Sequence, residues 1–203
     1  IWNKVNPADE NNLCSWALRC LLIEDGNRLI LIDNGNGDKQ DAKFFGHYHL
    51  HGDDTLDKSL AKYGFHRDDI TDVLLTHLHF DHCGGTIRRE GEKLVPNFKN
   101  ATVWSNAEHW DWAVHPNERE KASFLKENIL PIQENGQLQL IHLHPRQNPV
   151  SKLAEVAFTD TISIRLLRLV SIETIFLIIR MVKQQKVSNI NPNNVCPVFM
   201  EQP

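Results

Sequence analysis

Four side chains that can bind a metal ion fall within six consecutive positions of this sequence: His77, His79, Asp81 and His82. In an extended backbone the side chains of residues i and i+2 point the same way, so the first two histidines can approach one ion from one side. The aspartate and the third histidine follow where two glycines let the chain turn, and they can face the ion from another direction. Imidazole and carboxylate groups suit zinc and other late first-row metals. The spacing therefore predicts a metal site with these four residues as ligands.

The predicted ligands directly follow a short apolar run, Val73–Leu75, which is typical of a buried strand. Open α/β sheets bind their ligands at the carboxyl ends of strands. A chance cluster of surface histidines is the alternative interpretation. Two surface histidines are common, but four donors in this order after a buried strand favour a metal site at a sheet edge.

Residues 76–85 resemble the metal-binding motif of the metallo-β-lactamase superfamily of metallohydrolases. Three other stretches are similar to that family in the same order: residues 29–35, which include Asp33, residues 60–70 and residues 96–110. The spacing is most similar to the branch of lactonases and organophosphate hydrolases. The resemblance covers about residues 12–143 and does not extend to the rest of the chain.

The resemblance implies an α/β (α+β) fold, the αββα sandwich of this family, of which residues 1–160 would form mainly the N-terminal half. One mixed sheet is expected, with helices from residues 55–63 and 105–127 on one face. Within the latter span, a weakly amphipathic pattern predicts a second helix at about residues 117–126. Two apolar runs around Asp25-Gly26-Asn27 predict a β-hairpin.

The implied activity is that of a metal-dependent hydrolase, which uses a metal-bound hydroxide to attack an ester, lactone or related bond. One or two Zn²⁺ ions are the expected cofactors, with other divalent metals as alternatives. Asp81 is expected to be catalytic, because it would bind the metal and also orient the attacking water. The expected partner is a small-molecule substrate.

The ligand set that the resemblance implies is incomplete here. Family members add a third histidine from a later Gly-His turn, a bridging aspartate and a distal histidine, yet no glycine follows Gly136 and no histidine follows His144. A catalytic zinc takes about three protein ligands, so His142 or His144 is the candidate third ligand of the first ion. Two alternatives stay open: a catalytically incomplete metal-binding fragment, or a mononuclear-iron oxidoreductase of the same fold.

Three further features have two interpretations each. Asp33 either braces the metal-binding loop or bonds to its own turn. Cys83 is either a soft metal ligand or, as we favour, a small filler before the glycines. Three histidines within residues 47–51 could form a second metal site, but a histidine-bearing loop is favoured, and its aromatic neighbours could line the substrate pocket. His109 and His115 are predicted not to be ligands.

The composition excludes several partners. A net charge of −4 over 203 residues disfavours nucleic acid. Four cysteines without paired spacing favour a reducing compartment, taken as the cytoplasm. Residues 161–203 are predicted to be an atypical tail, the product of a truncation, a frameshift or a gene fragment. The four charges within its apolar stretch, residues 162–182, argue against a membrane helix. Residue 1 is Ile, so the native start is expected to be missing. A sheet left uncovered by the missing half would favour a homodimer.

Overall fold

The structure, a computed structural model, describes residue 4, residues 7–142 and the backbone of residues 197–202. Its main feature is a six-stranded mixed sheet. The six strands, in chain order and with the labels used below, are β1 (Trp16–Asp25), β2 (Arg28–Ile32), β3 (Asp72–Leu74), β6 (Thr102–Asn106), β7 (Leu138–Ile141) and β8 (Pro197–Gln202). A separate two-stranded sheet is formed by β4 (Ile87–Glu90) and β5 (Lys93–Pro96).

The order of strands in the main sheet is β7-β6-β3-β2-β1-β8. The four strands β7, β6, β3 and β2 run parallel to one another, whereas β1 is antiparallel to both β2 and β8. The chain segments that follow β2, β3 and β6 therefore all emerge at the same edge of the sheet. This edge is where the sequence predicted the metal site.

The predicted β-hairpin is confirmed, since β1 and β2 pair antiparallel with Leu22 opposite Leu31. Gly26 has φ +60°, the left-handed conformation that a two-residue hairpin turn needs and that glycine adopts without strain. β1 is longer than β2, and its first residues run past Leu21, which pairs with Ile32 at the end of β2. The projecting part of β1 pairs instead with β8.

Five α-helices lie within the described residues: α1 (Ala42–Gly46), α2 (Leu56–Lys62), α3 (Phe80–Cys83), α4 (Ala107–Val114) and α5 (Lys126–Glu134). The helix predicted at residues 55–63 is confirmed as α2, and Thr55 caps it by accepting a hydrogen bond from the Lys58 N–H. The helix predicted at residues 117–126 is wrong. The Asn117 side chain accepts the N–H groups of Arg119 and Glu120, which closes a local turn instead, and the helix begins only at Lys126.

One hydrophobic core joins the sheet to these helices, and this confirms the predicted mixed sheet with helices on one face. Leu60 of α2, Trp110 of α4 and Ile132 of α5 belong to the same buried cluster as Leu31 and Val73 of the sheet. Successive strand residues point to opposite faces of a sheet. Leu21, Ile23 and Ile30 of β1 and β2 therefore lie on the face opposite this cluster, and they are buried on that face too.

Residues 143–196 lie outside the described part of the chain, and with them His144 and the predicted domain boundary at residue 160. The last strand, β8, lies within the predicted tail and extends the same sheet. Among the described residues, no helix has the length and apolar character needed to cross a membrane.

Candidate metal centre

The predicted ligands lie at the carboxyl edge of the sheet. The segment after β3 leads through His77 into α3, a single helical turn that carries Asp81 and His82. The N–H groups of His82 and Cys83 both bond to the His79 carbonyl, at 3.0 and 3.1 Å. The helical turn brings the side chains of Asp81 and His82 into the same space as that of His77, which precedes it.

Three of the four predicted ligands come together in this space. His77, Asp81 and His82 each offer one donor atom, and the three atoms lie within 4.8 Å of one another. The imidazole rings of His77 and His82 are 3.9 Å apart between centroids. In the described part of the chain, this is the one group of three or more histidine, cysteine or carboxylate donors that close together. All three residues are partly buried, so their donor atoms are reachable from solvent.

His79 lies beside this group but not in it. Its ring centroid is 4.7 Å from that of His77 and also 4.7 Å from that of Phe124. The contact with Phe124 places the His79 ring on the side of the cluster that faces α5. The role of His79 as a ligand stays a prediction.

Asp33 connects the end of β2 to the metal-binding segment. Its Oδ1 accepts the backbone N–H of Thr76 at 2.9 Å, and its Oδ2 accepts the Thr76 hydroxyl at 2.7 Å and Nδ1 of His82 at 2.8 Å. The carboxylate thus holds a residue before α3 and a residue within it, which favours the bracing role over a bond to its own turn. Asp33 adopts φ +55°, an uncommon conformation for a residue other than glycine.

His82 lies between two carboxylates. Burial acts to lower its pKa, but the hydrogen bonds that it donates to Asp33 and Asp81 outweigh burial and raise the pKa of His82 to about 9. The pKa of Asp81 is held below its usual value: burial acts to raise it, but the hydrogen bond and charge of His82 prevail. With Nδ1 bonded to Asp33, the His82 atom that faces the donor group is Nε2, 3.4 Å from an Asp81 oxygen.

His77 has the opposite electrostatic environment. Burial lowers its pKa to about 4, and the nearby charges of His82 and His79 act in the same direction. The imidazole is therefore neutral at pH 7 and keeps a lone pair for a metal ion. Thr76 Oγ1 lies 3.2 Å from Nδ1 of this ring and orients it.

Gly84 and Gly85 allow a close approach of two backbones rather than an unusual turn. The sequence predicted that they make the turn tight, but Gly84 has φ −60°, which any residue can adopt. A Cβ atom on Gly84 would lie 2.0 Å from the carbonyl oxygen of Asn36, and one on Gly85 would lie 2.3 Å from that of Asn34. Only glycine leaves room for the turn after β2 to lie directly against the end of α3.

Cys83 is fully buried at 0% exposure, and its Sγ donates a hydrogen bond to the Leu78 carbonyl at 3.3 Å. Burial raises the pKa of its thiol to about 12, so the thiolate that a metal would need is not formed at neutral pH. Both observations favour the filler interpretation over a role as a ligand.

His109 supports the metal-binding segment and was missed by sequence reasoning, which predicted only that it is not a ligand. Its Nε2 accepts the backbone N–H of Leu78 at 2.9 Å, between the two spaced histidines. Its pKa is lowered, first by burial and then by the charge of His79, so the ring stays a neutral acceptor. The available signal was its position three residues after β6, the strand next to β3.

The histidine-bearing loop forms no second donor group among the described residues. His51 instead contacts the Ser15 hydroxyl at 3.3 Å. The aromatic residues of the loop do approach the site: the rings of Phe44 and Tyr48 each lie 5.2 Å from the ring of Phe80, which sits between two predicted ligands in the sequence. His142 is exposed just after β7 and is not in the donor group, so its role as a ligand stays a prediction.

A cavity of about 540 Å³ opens onto the metal-binding residues. One wall is the part of β1 that projects past β2, and the other side is formed by the ends of β2 and β3 with α3. Trp16 stands at the start of the projecting strand and is 65% exposed. The cavity is lined in part by Trp16, Leu18, Cys20, Asp33, His77 and Asp81.

Comparison with protein families identifies the chain. The family model of the metallo-beta-lactamase superfamily matches residues 19–152. The chain belongs to this superfamily. Superfamily members bind divalent metals, and the metallo-β-lactamase fold is confirmed by the mixed sheet with its helices. The comparison with curated proteins found no match.

The solved structures that are similar to this chain include the following two. One is a probable metal-dependent hydrolase from Staphylococcus aureus, with 27% identity, a TM-score of 0.62, and coverage of 73% of this chain and 52% of that one. The other is the hydrolase AbOPH of the beta lactamase superfamily, with 26% identity, a TM-score of 0.50, and coverage of 73% and 50%. The chain therefore spans about half the length of these structures.

The donor set fits a divalent metal of the kind that the superfamily binds. Two imidazoles and a carboxylate are hard-to-borderline ligands of the type that zinc takes in catalytic sites. Each imidazole has an outer partner that orients it, Thr76 for His77 and Asp33 for His82, as metal-binding histidines usually do.

Proposed function

We propose that this chain forms the metal-binding part of a metal-dependent hydrolase that acts on an ester, lactone or related bond. The observation that supports this most is the gathering of His77, Asp81 and His82 within 4.8 Å at the carboxyl edge of the sheet. The similarity to a probable metal-dependent hydrolase and to the hydrolase AbOPH also supports it.

Zn²⁺ is the proposed metal. Three clustered donors equal the number of protein ligands in a typical catalytic zinc site, so at least one ion is expected. His79, which lies next to the cluster, would complete a set for a second ion together with ligands outside it. When bound, such an ion supplies a Lewis acid and lowers the pKa of a water molecule to about 7.

The residues around the ion have separable roles. His77 is neutral at pH 7 and offers a lone pair, because burial lowers its pKa to about 4. Asp33 holds His82 through Nδ1, so that a metal ion would take the place of the proton on Nε2. Asp81 stays ionised, so one carboxylate oxygen can hold the metal and the other can accept a hydrogen bond from the attacking water and orient it.

The proposed substrate is a small organic molecule. The cavity beside the donors has a volume of about 540 Å³, which lies within the usual size range of small-molecule pockets. Trp16 and Leu18 line its projecting wall, whereas Asp33 and Thr76 lie at the metal-binding end. This arrangement suits a substrate with an apolar group attached to the bond that is cleaved.

A second candidate is a metal-binding protein without turnover. It is favoured by the exposed position of His142 outside the donor group. In that case the three donors would bind one ion, but no hydrolysis would follow.

Metal content and hydrolysis test both candidates. We expect about one tightly bound zinc ion per purified chain by elemental analysis, and chelator-sensitive hydrolysis of an aryl ester or a simple lactone. His77→Ala is expected to remove the metal, whereas the control His115→Ala, at an exposed position, retains it. Bound zinc without turnover would support the second candidate. A chain that binds no zinc would contradict both, and bound iron would favour the oxidoreductase alternative.

A further inference from the structure

Lys39 is an unusual residue because it is buried beside the metal-binding segment. Its exposure is 6%, although lysine is almost never fully buried unless it is paired. Its Nζ donates a hydrogen bond to the carbonyl oxygen of Gly84, two residues after His82. No part of the hydrolytic chemistry described above uses this amine.

The surroundings of Lys39 show how it is tolerated there. Burial lowers its pKa to about 8, while electrostatic interactions with the acidic groups of Cys83, Glu127 and Asp38 act to raise the pKa and that with Arg89 acts to lower it. None of these groups forms a short ion pair with the amine. Its contact is a carbonyl oxygen, so the side chain acts as a hydrogen-bond donor to the backbone.

That carbonyl belongs to the residue that ends α3. The Gly84 N–H bonds to the Phe80 carbonyl and closes the helix, and the Gly84 carbonyl points away from the helix to Lys39. This short helix, α3, carries both Asp81 and His82. A bond at its end therefore limits how far these two ligands can move.

Other bonds hold the same end of the helix to the turn after β2. The Asn34 N–H bonds to the His82 carbonyl at 2.9 Å, and the Gly85 N–H bonds to the Gly35 carbonyl at 3.0 Å. Of these three hydrogen bonds, the one from Lys39 to the Gly84 carbonyl is made by a charged side chain, whereas the other two join backbone groups. Removal of the Lys39 amine would leave a buried carbonyl without this donor, which costs free energy.

We propose that Lys39 is a positioning residue for the metal centre: by holding the Gly84 carbonyl it fixes α3 and so places Asp81 and His82 for metal binding. The proposal rests on the proposed metal-binding function. It differs from a general contribution to stability, because it predicts a loss of metal affinity beyond the loss expected from destabilisation alone.

The test compares Lys39→Met with Asp72→Asn. Methionine keeps the length and apolar stem of lysine but removes the donor. Asp72 lies in a buried network between β2, β3 and β6, away from the metal-binding residues, so its substitution also destabilises the fold. We expect zinc affinity at pH 7, measured by chelator competition, to fall about 10-fold in Lys39→Met and to stay unchanged in Asp72→Asn. We also expect an altered visible spectrum of the Co²⁺-loaded protein in Lys39→Met alone.

Hydrogen exchange of the metal-free protein separates the two proposals. Lys39→Met is expected to accelerate amide exchange in residues 80–86, and Asp72→Asn is not. If wild-type protein binds no zinc, the proposed function is contradicted, and exchange still decides whether Lys39 holds the segment. If Lys39→Met shows the same zinc affinity and the same amide exchange as the wild-type protein, the inference is overturned. If that variant does not fold, Lys39→Leu, which also lacks a donor, is judged by the same two measurements.

Discussion

Nδ1 of His82 and Oδ2 of Asp33 are joined by a hydrogen bond of 2.8 Å, although 49 positions separate the two residues in the chain. The bond links the end of β2 to the helical turn that follows β3. It determines which nitrogen of His82 is left to face the other donors. The orientation of a predicted ligand thus depends on a residue outside the metal-binding motif.

Asp33→Asn tests this relationship. The amide can still accept from Thr76, but it lacks the charge that stabilises the proton on His82 Nδ1, so the ring is held less firmly. We expect zinc affinity to fall about 10- to 100-fold, measured by chelator competition. Asp54→Asn, at an exposed position outside the site, is the control and should bind zinc like wild type. Equal affinity in both variants would show that Asp33 does not orient the ligand.

Cys83→Ala decides between the two interpretations of this cysteine. The thiol is buried and bonded to the Leu78 carbonyl, so its loss leaves a small cavity and costs about 1–2 kcal/mol of unfolding free energy. We expect zinc stoichiometry and affinity to remain those of wild type. A large loss of zinc affinity would instead identify Cys83 as a ligand. Denaturant unfolding and chelator competition on the same sample give both quantities.

Gly84→Ala tests the close approach of the two backbones. The new Cβ would lie 2.0 Å from the Asn36 carbonyl oxygen, so one of the two segments must move. We expect a loss of at least about 3 kcal/mol of unfolding free energy, measured by denaturant unfolding. Gly46→Ala is the matched control, because nothing lies within 4 Å of its Cβ position and its φ is not positive. Similar stability of the two variants would contradict the observed approach.

Asp72 makes stability depend on pH. Burial acts to raise its pKa, but hydrogen bonds from Arg28, Thr71 and Trp104 prevail and hold the pKa below its usual value of 3.8. A group whose pKa is lower in the folded state stabilises the fold above its unfolded pKa and loses this contribution as the pH falls through the folded pKa. Wild type should therefore lose stability below about pH 4.

Asp72→Asn should remove that dependence. We expect the variant to be about 1–3 kcal/mol less stable than wild type at pH 7, and the difference to shrink as the pH falls below 4. Asp111→Asn, at an exposed carboxylate, is the control and should follow wild type at every pH. Urea unfolding between pH 3 and pH 7 measures the effect. A difference that stays constant over this range would contradict it.

The sequence predicted the hairpin, the first helix of the core and the motif, because each has a local signal. Asp25-Gly26-Asn27 can only be a turn between two apolar runs, and Thr55 is a recognisable cap. Asp33 had two interpretations because both need the same carboxylate in the same turn. Only the position of His82 in space decides between them, and no local pattern encodes it.

The features that the sequence did not reveal also have physical causes. The helix that begins at Lys126 has a weak sequence signal, because Pro131 lies inside it and proline usually ends a helix rather than occupying its interior. The burial of Lys39 had no signal, because lysine normally lies in solvent. The position of the His79 ring depends on its contact with Phe124, which comes from a distant part of the chain.

The direct contact between the turn after β2 and the end of α3 has a consequence for how the ion would be acquired. The donor groups are arranged by bonds within the protein, so the ordering of the site takes place during folding and not on metal uptake. In zinc fingers, by contrast, the apoprotein is unfolded. We therefore expect a chelator to strip this centre while circular dichroism still shows a folded chain, ready to be reloaded with a different ion.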